Sequence, residues 1–403
     1  MYNGGLIERQ SRIDWLLLLA IFGLMVLGVV FVYSATMTNE SAREAPWYTQ
    51  RHFMQMIWYA VGLAGAALIC AVDYHILARW SLVAYWGTIV LLLAVLVPGI
   101  GSTHGWGARR WIDVGPFGFQ PSEFAKLSFI FAQSHYLSRP QDELQQGKVF
   151  WKAVGLLVLP FVLIMKEPDL GSALILLPVG LAMLYVAGVP VRYLRRLVGG
   201  VALLVALILV DVLFAPPNWQ IKLEDYQKRR LLVYFGRDFA PPGATPAERQ
   251  DARKQQRNYS YNVDQAMISV GSGGLTGKGW CRGTQNALGY LPRAVAHNDF
   301  IFSVIAEEKG FMGSVMVITL YSVVLFTGIR IAGQTRDRLG KVLAVGVVTM
   351  LFSHVFINIG MNIRIMPVTG VPLPLLSYGG SSVLCSLIAT GILQNVYIYR
   401  RSH

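Results

Sequence analysis

Apolar runs of about the length that crosses a bilayer as a helix, roughly 20 residues, recur along nearly the whole chain and leave it little choice of fold. Ten can be read, at 13–33, 53–72, 80–97, 121–137, 149–165, 171–187, 194–214, 300–331, 342–361 and 381–399. The fourth and fifth are the weakest, since 121–137 holds Glu123 and Lys126 and 149–165 barely reaches the needed length. Of the 403 residues 54% are hydrophobic and only 14% charged, which is a membrane composition. The expectation is an all-α polytopic membrane protein of about ten transmembrane helices. Helices 1–7 fall in 1–214, one large extracytoplasmic loop in 215–299 between helices 7 and 8, and helices 8–10 in 300–403. The first run is full length with no small-residue cleavage site after it, so no cleavable signal peptide is expected.

Lysine and arginine in short loops mark the cytoplasmic side. Arg9, Arg12, Arg79, Arg139, Lys148, Lys152, Arg192, Arg195, Arg196, Arg330, Arg336, Arg338, Lys341, Arg400 and Arg401 fall on one side. The opposite short joints hold only Arg43, Arg51, Arg109, Arg110, Lys166 and Arg364. Both termini are therefore expected in the cytoplasm. Anionic membrane lipid at these joints accounts for the net charge of +13, and no nucleic-acid partner is expected. Cys70 and Cys385 lie within spans and Cys281 in the loop, so no disulfide framework is implied.

The long loop changes character along its length. Residues 216–257 end in "APPGATPAERQDARKQQR", which reads as mobile or partly helical surface. From Asn258 the loop is dense in glycine, aromatic and amide residues and reads as a built site. Its "GSGGLTGKG" is not a phosphate loop, because Ser272 stands where that pattern needs glycine and Gly279 where it needs Ser or Thr. Two readings survive: a plain re-entrant turn, or a turn whose N–H groups and Lys278 hold an anion such as pyrophosphate.

Charged residues inside apolar runs are costly and tend to face polar cavities. Glu123 and Lys126, three apart, meet on one helix face, either as a packing pair or lining a cavity with Lys126 offered to an anionic head group. In "KEPDLGSAL", Asp169 either caps a helix or takes part in chemistry, while Lys166 and Glu167 read as solvated loop residues. Arg109, Arg110 and Trp111 form either an interfacial belt or a grip on a lipid phosphate. His52, His135 and His354 are isolated and not at metal-ligand spacing. In "HNDFIFSVIAEEKGFMG", Asp299 stands at the mouth of a helix, with Glu307 and Glu308 about two and a half turns further in. A lone carboxylate there suits a general base acting on an external hydroxyl; capping by Asn298 or Asp299 is the plainer alternative.

These stretches, with "GARRWIDVGPFGFQPSEFAK", "QAMISVGSGGLTGKGWCRGTQNALGYLP" and "NIGMNIRIMPVTGVPLPLLSYGGSS", resemble the SEDS (shape, elongation, division and sporulation) family of bacterial peptidoglycan glycosyltransferases over nearly the whole chain. The "PVTGVPLPLLSYGG" form resembles the elongation branch. The resemblance implies that Asp299 is the essential aspartate, and that Trp111, the Glu123–Lys126 pair and Asp169 match other family motifs. The sequence departs from the pattern at Asn298, at Arg364 where a small residue is common, at Asp264 where an aliphatic residue is usual, and in an insertion around 240–257.

The implied function is polymerisation of lipid II at the outer face of the bacterial inner membrane, inverting, with release of undecaprenyl pyrophosphate. Asp299 is the catalytic residue; Trp111, Arg109, Arg110, Glu123, Lys126, Asp169, Lys278 and His297 form the substrate-binding set. Arg109, Arg110, Lys126 and Lys278 are the candidate cations for the leaving group. The implied partners are lipid II, the undecaprenyl-pyrophosphate-linked glycan, membrane lipid and a class B penicillin-binding transpeptidase. No metal site is read and no cofactor is assigned, with a divalent cation on the pyrophosphate left open. A lipid II flippase and a non-catalytic cell-wall scaffold are the competing readings; the elaborated loop ending in a carboxylate separates the enzyme from the flippase.

Overall fold

The computed structural model describes residues 13–37, 44–103, 109–115, 117–214, 225–237, 239–240, 245–292 and 294–400. A helix lies on every one of the ten apolar runs: α1 (Trp15–Met37), α2 (Arg51–Ala71), then after the short α3 (Tyr74–Arg79), α4 (Ser81–Leu96) and α5 (Pro121–Leu137). After α6 (Gln141–Leu144) come α7 (Gly147–Lys166), α8 (Leu170–Val186) and α9 (Val191–Phe214). Beyond the loop follow α13 (Ile301–Gln334), α14 (Arg338–Asn362) and α15 (Gly380–Tyr399). Among the described residues seven of these are long and apolar enough to cross a membrane, while α4 and α8 are shorter apolar helices. The 17-residue α5 carries the buried Glu123 and Lys126.

Local chemistry sets the helix starts around the site. Pro121 opens α5 at a position where its missing N–H is no loss. Asp169 caps α8 by accepting from Ser172 N. α14 packs on α5, α8 and α13, and α15 lies along α2. α14 and α15 are the shielded helices, with 72% and 78% of their apolar stretches buried, whereas only 6% of that of α9 is, so α9 stands at the periphery.

Two features depart from the sequence-based reading. The all-α expectation omits a three-stranded antiparallel sheet, β1 (Gly101–Ser102), β2 (Trp111–Val114) and β3 (Phe117–Phe119), that joins α4 to α5. Within the long loop, α10 (Asp225–Tyr234), α11 (Pro246–Ser272) and the short α12 (Thr284–Ala287) are helices, and α11 runs straight through the boundary drawn at Asn258. A capping box starts α11: Glu248 N donates to Thr245 Oγ1 and Thr245 N to Glu248 Oε2. Once started, the helix continues through the composition change.

The glycine-rich stretch is a splice into a broken helix. α13 kinks at Gly310, whose φ is +63°. The carbonyls of Glu307 and Glu308, which an unbroken helix would bond to residues 311 and 312, accept instead from Lys278 N (3.0 Å) and Gly279 N (2.9 Å). In return Phe311 N donates to Gly274 O (2.8 Å) and Met312 N to Leu275 O (3.1 Å). Four backbone groups freed by the kink are thus satisfied by the loop, as a low-dielectric setting demands. Glycine is required on both sides of the seam, because a Cβ on Gly277 would lie 2.2 Å from Glu308 O and one on Gly310 2.4 Å from Gly277 N.

Candidate active site

Just before α13 the turn that carries Asp299 is gripped through three consecutive carbonyls. His297 O accepts from Tyr378 N (2.9 Å), and Asn298 O from Ser377 Oγ (2.5 Å). Asp299 O accepts from the side-chain amides of Asn358 (2.9 Å) and Asn362 (3.1 Å) on α14. Asn358 also donates to Val371 O (2.7 Å), so α14 ties the turn to the 369–378 segment. The turn's position is over-determined by main-chain contacts, and these leave the Asp299 side chain uncommitted.

That side chain does not cap the helix: Phe300 is the N-cap and makes no side-chain cap bond. Asp299 as a whole is partly exposed, and among the described residues no hydrogen bond reaches its carboxylate. It lies over Gly370 (φ +73°), where an added Cβ would come to 3.5 Å from Asp299 Oδ2. Burial pushes its carboxyl up to about 6, the charges of Arg230 and Arg110 pull it back down, and Asp169 pushes it up. A base with that affinity is ionised at neutral pH and still takes a proton readily.

Asp169 takes the capping role that its sequence left open, and its second oxygen ties two helix starts together. Its Oδ1 caps α8, and its Oδ2 accepts from Ser122 Oγ (3.0 Å) and Gln120 Nε2 (3.2 Å) at the start of α5. Its charge also bears on Asp299. A Cβ on Gly171 would lie 2.4 Å from Val371 Cγ2, so the start of α8 is pressed against the segment that carries Gly370. Arg110 donates to Glu167 O and Pro168 O, which fixes its guanidinium beside the same turn. Arg109 is exposed and Trp111 half-buried on β2, next to Arg110 at the lip.

Glu167 overturns the solvated-loop reading. It is 0% exposed, and among the described residues neither carboxyl oxygen has a hydrogen-bond partner. Burial and then Asp169 push its carboxyl up to about 9, against a lowering by Arg110. It is a neutral acid at pH 7, held beside the cluster rather than in water.

The remaining members of the set have other partners. Lys126 Nζ is buried at 2.7 Å from Glu123 Oε1 and 2.8 Å from His354 Nε2, so the pair joins α5 to α14. Lys278 Nζ is held by Ser272, Thr284 and Glu307, the last at 2.7 Å. Together with the use of its backbone N–H in the splice, this favours the re-entrant turn over the anion cradle. Glu308 is bonded by Ser34 Oγ, which explains the acidic pair inside an apolar helix: each acid has a designated partner. Arg51 Nη1 lies 2.7 Å from His297 Nε2. Among the described residues no group of three His, Cys, Asp or Glu side chains is placed to hold a metal.

Sequence reading missed Arg230, which was assigned to loop surface, and the two asparagines. The latter had a legible signal: "NIGMN" places two amides one turn apart in an otherwise apolar helix.

The chain matches the family model for the FtsW/RodA/SpoVE cell cycle proteins over residues 14–402. It is 32% identical to the peptidoglycan glycosyltransferase RodA of Treponema pallidum, across 97% of this chain and 98% of that one. It is 33% identical to the peptidoglycan glycosyltransferase MrdB of Escherichia coli K12, across 94% and 93%. Against stage V sporulation protein E of Bacillus subtilis the identity is 34%, across 98% and 99%. One similar solved chain comes from a peptidoglycan synthase complex described as coordinating polymerization and crosslinking, with TM-score 0.74, 26% identity and 97% and 99% of the two chains covered. The rod shape determining protein RodA of Thermus thermophilus gives TM-score 0.65, 27% identity and coverage of 96% and 98%.

Proposed function

This chain belongs to the FtsW/RodA/SpoVE family and is a multi-pass membrane peptidoglycan glycosyltransferase, and on that footing we propose that it polymerises lipid II with Asp299 as the general base. The Asp299 carboxylate takes the proton of the acceptor GlcNAc 4-hydroxyl while that oxygen attacks C1 of the donor MurNAc. The new C1–O bond forms on the face opposite the leaving group, and the configuration inverts. The old C1–O bond breaks, undecaprenyl pyrophosphate departs with the electron pair, and the proton on Asp299 passes to solvent.

The observation that carries this reading is the Asp299 carboxylate itself: free of hydrogen bonds among the described residues, on a partly exposed residue, and set in the field of two arginines. General-base help of this kind contributes about 10²- to 10⁴-fold. Arg110, held at the same turn by the Glu167 and Pro168 carbonyls, is the cation best placed to stabilise the departing pyrophosphate, with Arg109 and Trp111 beside it. Asp169 positions the rim that both arginine and turn rest on.

The arginine and lysine asymmetry of the short loops supports a reaction at the outer face of the bacterial cytoplasmic membrane, with both termini inside. A class B penicillin-binding transpeptidase is the proposed partner, consistent with the synthase complex in which a similar chain is found.

The test is polymer formation from lipid II by purified protein in detergent, with and without the transpeptidase. Detergent micelles have no two sides, so a flippase makes nothing there. Asp299→Ala is expected to lower the rate by about 10²-fold or more; glycan made at the wild-type rate by this variant would overturn the role.

A further inference from the structure

The two chain-specific departures at Arg364 and Asp264 face each other. Arg364 Nη1 lies 3.1 Å from Asp264 Oδ1, joining the turn after α14 to the loop helix α11, and each side chain is 38% exposed. Arg364 adopts φ +61°, a left-handed backbone that a non-glycine residue takes only when its surroundings impose it. Ile365 N donates to Gly360 O (2.8 Å) and Ile365 O accepts from Tyr234 Oη (2.8 Å), which hold the turn in that shape.

The arginine so presented borders a cavity of about 210 Å³ lined by Arg230, Tyr234, Tyr259, Met366 and Pro367, among others. Its walls come from α10, α11 and the 364–368 turn, that is, from the long loop and its seat rather than from the interior of the helix bundle. It adjoins the active site, since the Arg230 charge acts on Asp299. At this size it is smaller than the roughly 300–1,000 Å³ of sites that enclose a whole small molecule, so it fits one arm of a larger substrate.

We propose that this cavity is a subsite for a carboxylate on the peptide arm of the substrate, taken between Arg364 and Arg230, with Asp264 holding Arg364 until that carboxylate displaces it. The proposal rests on the reading of the chain as a lipid II polymerase. Three features select this ligand. Arg364 already accepts a carboxylate, through one nitrogen of a fork that binds two oxygens when unhindered. Tyrosine, methionine and proline walls suit an organic chain better than bare phosphate. A pyrophosphate, tethered to a polyprenyl chain, stays at the membrane, and the cation proposed for it is Arg110 rather than Arg364. An ion pair as exposed as Arg364–Asp264 is weak, so exchange of one carboxylate for another is facile.

The experiment compares KM for lipid II bearing free peptide carboxylates with KM for lipid II in which they are amidated, with full-length protein in detergent. Arg364→Gln is expected to raise KM for the carboxylate substrate about tenfold, the scale of one charge-assisted hydrogen bond, and to leave KM for the amidated substrate at the wild-type value. Asp264→Asn, which frees Arg364, is expected to lower KM for the carboxylate substrate only. An equal rise for both substrates in Arg364→Gln, or no rise in either, overturns the proposal. So does a loss of inhibition by inorganic pyrophosphate in Arg364→Gln, which would assign the cavity to the leaving group. If Arg364→Gln does not fold, an unchanged KM in Asp264→Asn decides against the proposal alone. Wild-type protein that makes no polymer from either substrate would remove the polymerase reading itself, a result distinct from all of these.

Discussion

Asn358 donates its side-chain amide to the main-chain carbonyl of Asp299 at 2.9 Å, across 59 residues of sequence. Asn362, one helical turn on, donates to the same oxygen at 3.1 Å. The proposed base is therefore aimed through its backbone, which leaves its carboxylate uncommitted among the described residues.

Loss of this grip should impair the reaction more than the fold. Asn358→Ala and Asn362→Ala each leave a partly buried carbonyl with one donor in place of two, which costs about 1 kcal/mol of stability. The double variant leaves none, and is expected to lower the polymerisation rate by more than the product of the single effects. Steady-state rates in detergent beside thermal unfolding check this; a stability loss with an unchanged rate would contradict it.

The rate should follow the ionisation of Asp299. Its carboxyl is raised to about 6, so the general-base form accumulates as pH rises, and polymerisation is expected to climb with an inflection near 6. Arg230 pulls that value down, so Arg230→Gln should move the inflection to higher pH. For stability the sign is opposite. A folded-state carboxyl raised above its unfolded value destabilises the fold as pH rises through the interval between the two, so Asp299→Asn should unfold at a higher temperature than wild type at pH 7. The expected gain is on the order of 1 kcal/mol, discounted for the side chain's partial exposure.

Glu167 should behave as a neutral acid. With its carboxyl raised to about 9, the folded state keeps the proton that the unfolded chain loses above about pH 4.3, so stability falls between those two values as pH rises. Glu167→Gln removes this loss and should raise the unfolding temperature at pH 8 relative to pH 5, as scanning calorimetry in detergent reads. A variant with the same pH dependence as wild type would show Glu167 to be ionised in its site.

The helix splice makes a prediction about fold integrity. Gly277→Ala places a Cβ 2.2 Å from the Glu308 carbonyl at a backbone of φ +80° and should prevent accumulation of folded protein. Lys278→Met strips the buried Glu307 of its cation and should destabilise by about 3 kcal/mol. Adding Glu307→Gln should recover part of that loss, because a neutral amide no longer needs the charge. A double variant less stable than Lys278→Met would argue against this account.

Local pattern carried a large part of this protein. An apolar run of bilayer length states where a helix lies whatever surrounds it, so all ten runs coincide with helices, and Asp299 stood out because an acid beside such a run is rare. Even the capping of α8 by Asp169 was readable, since an N-cap bond spans only three residues. What failed was the environment of polar side chains. Glu167 reads as a loop residue next to a lysine, yet the packing of α7 against α8 leaves it no water.

Only the tertiary structure decided which polar groups meet. Lys278 finds Glu307 across 29 residues, Ser34 finds Glu308 across 274, and Arg364 finds Asp264 across 100. The reason is physical: transfer of apolar surface out of water depends on a segment's own composition, whereas a hydrogen bond or ion pair depends on where a distant segment comes to rest. The chain therefore announces its spans and its acid by itself, and the packing of the bundle determines how that acid is held and which charges act on it.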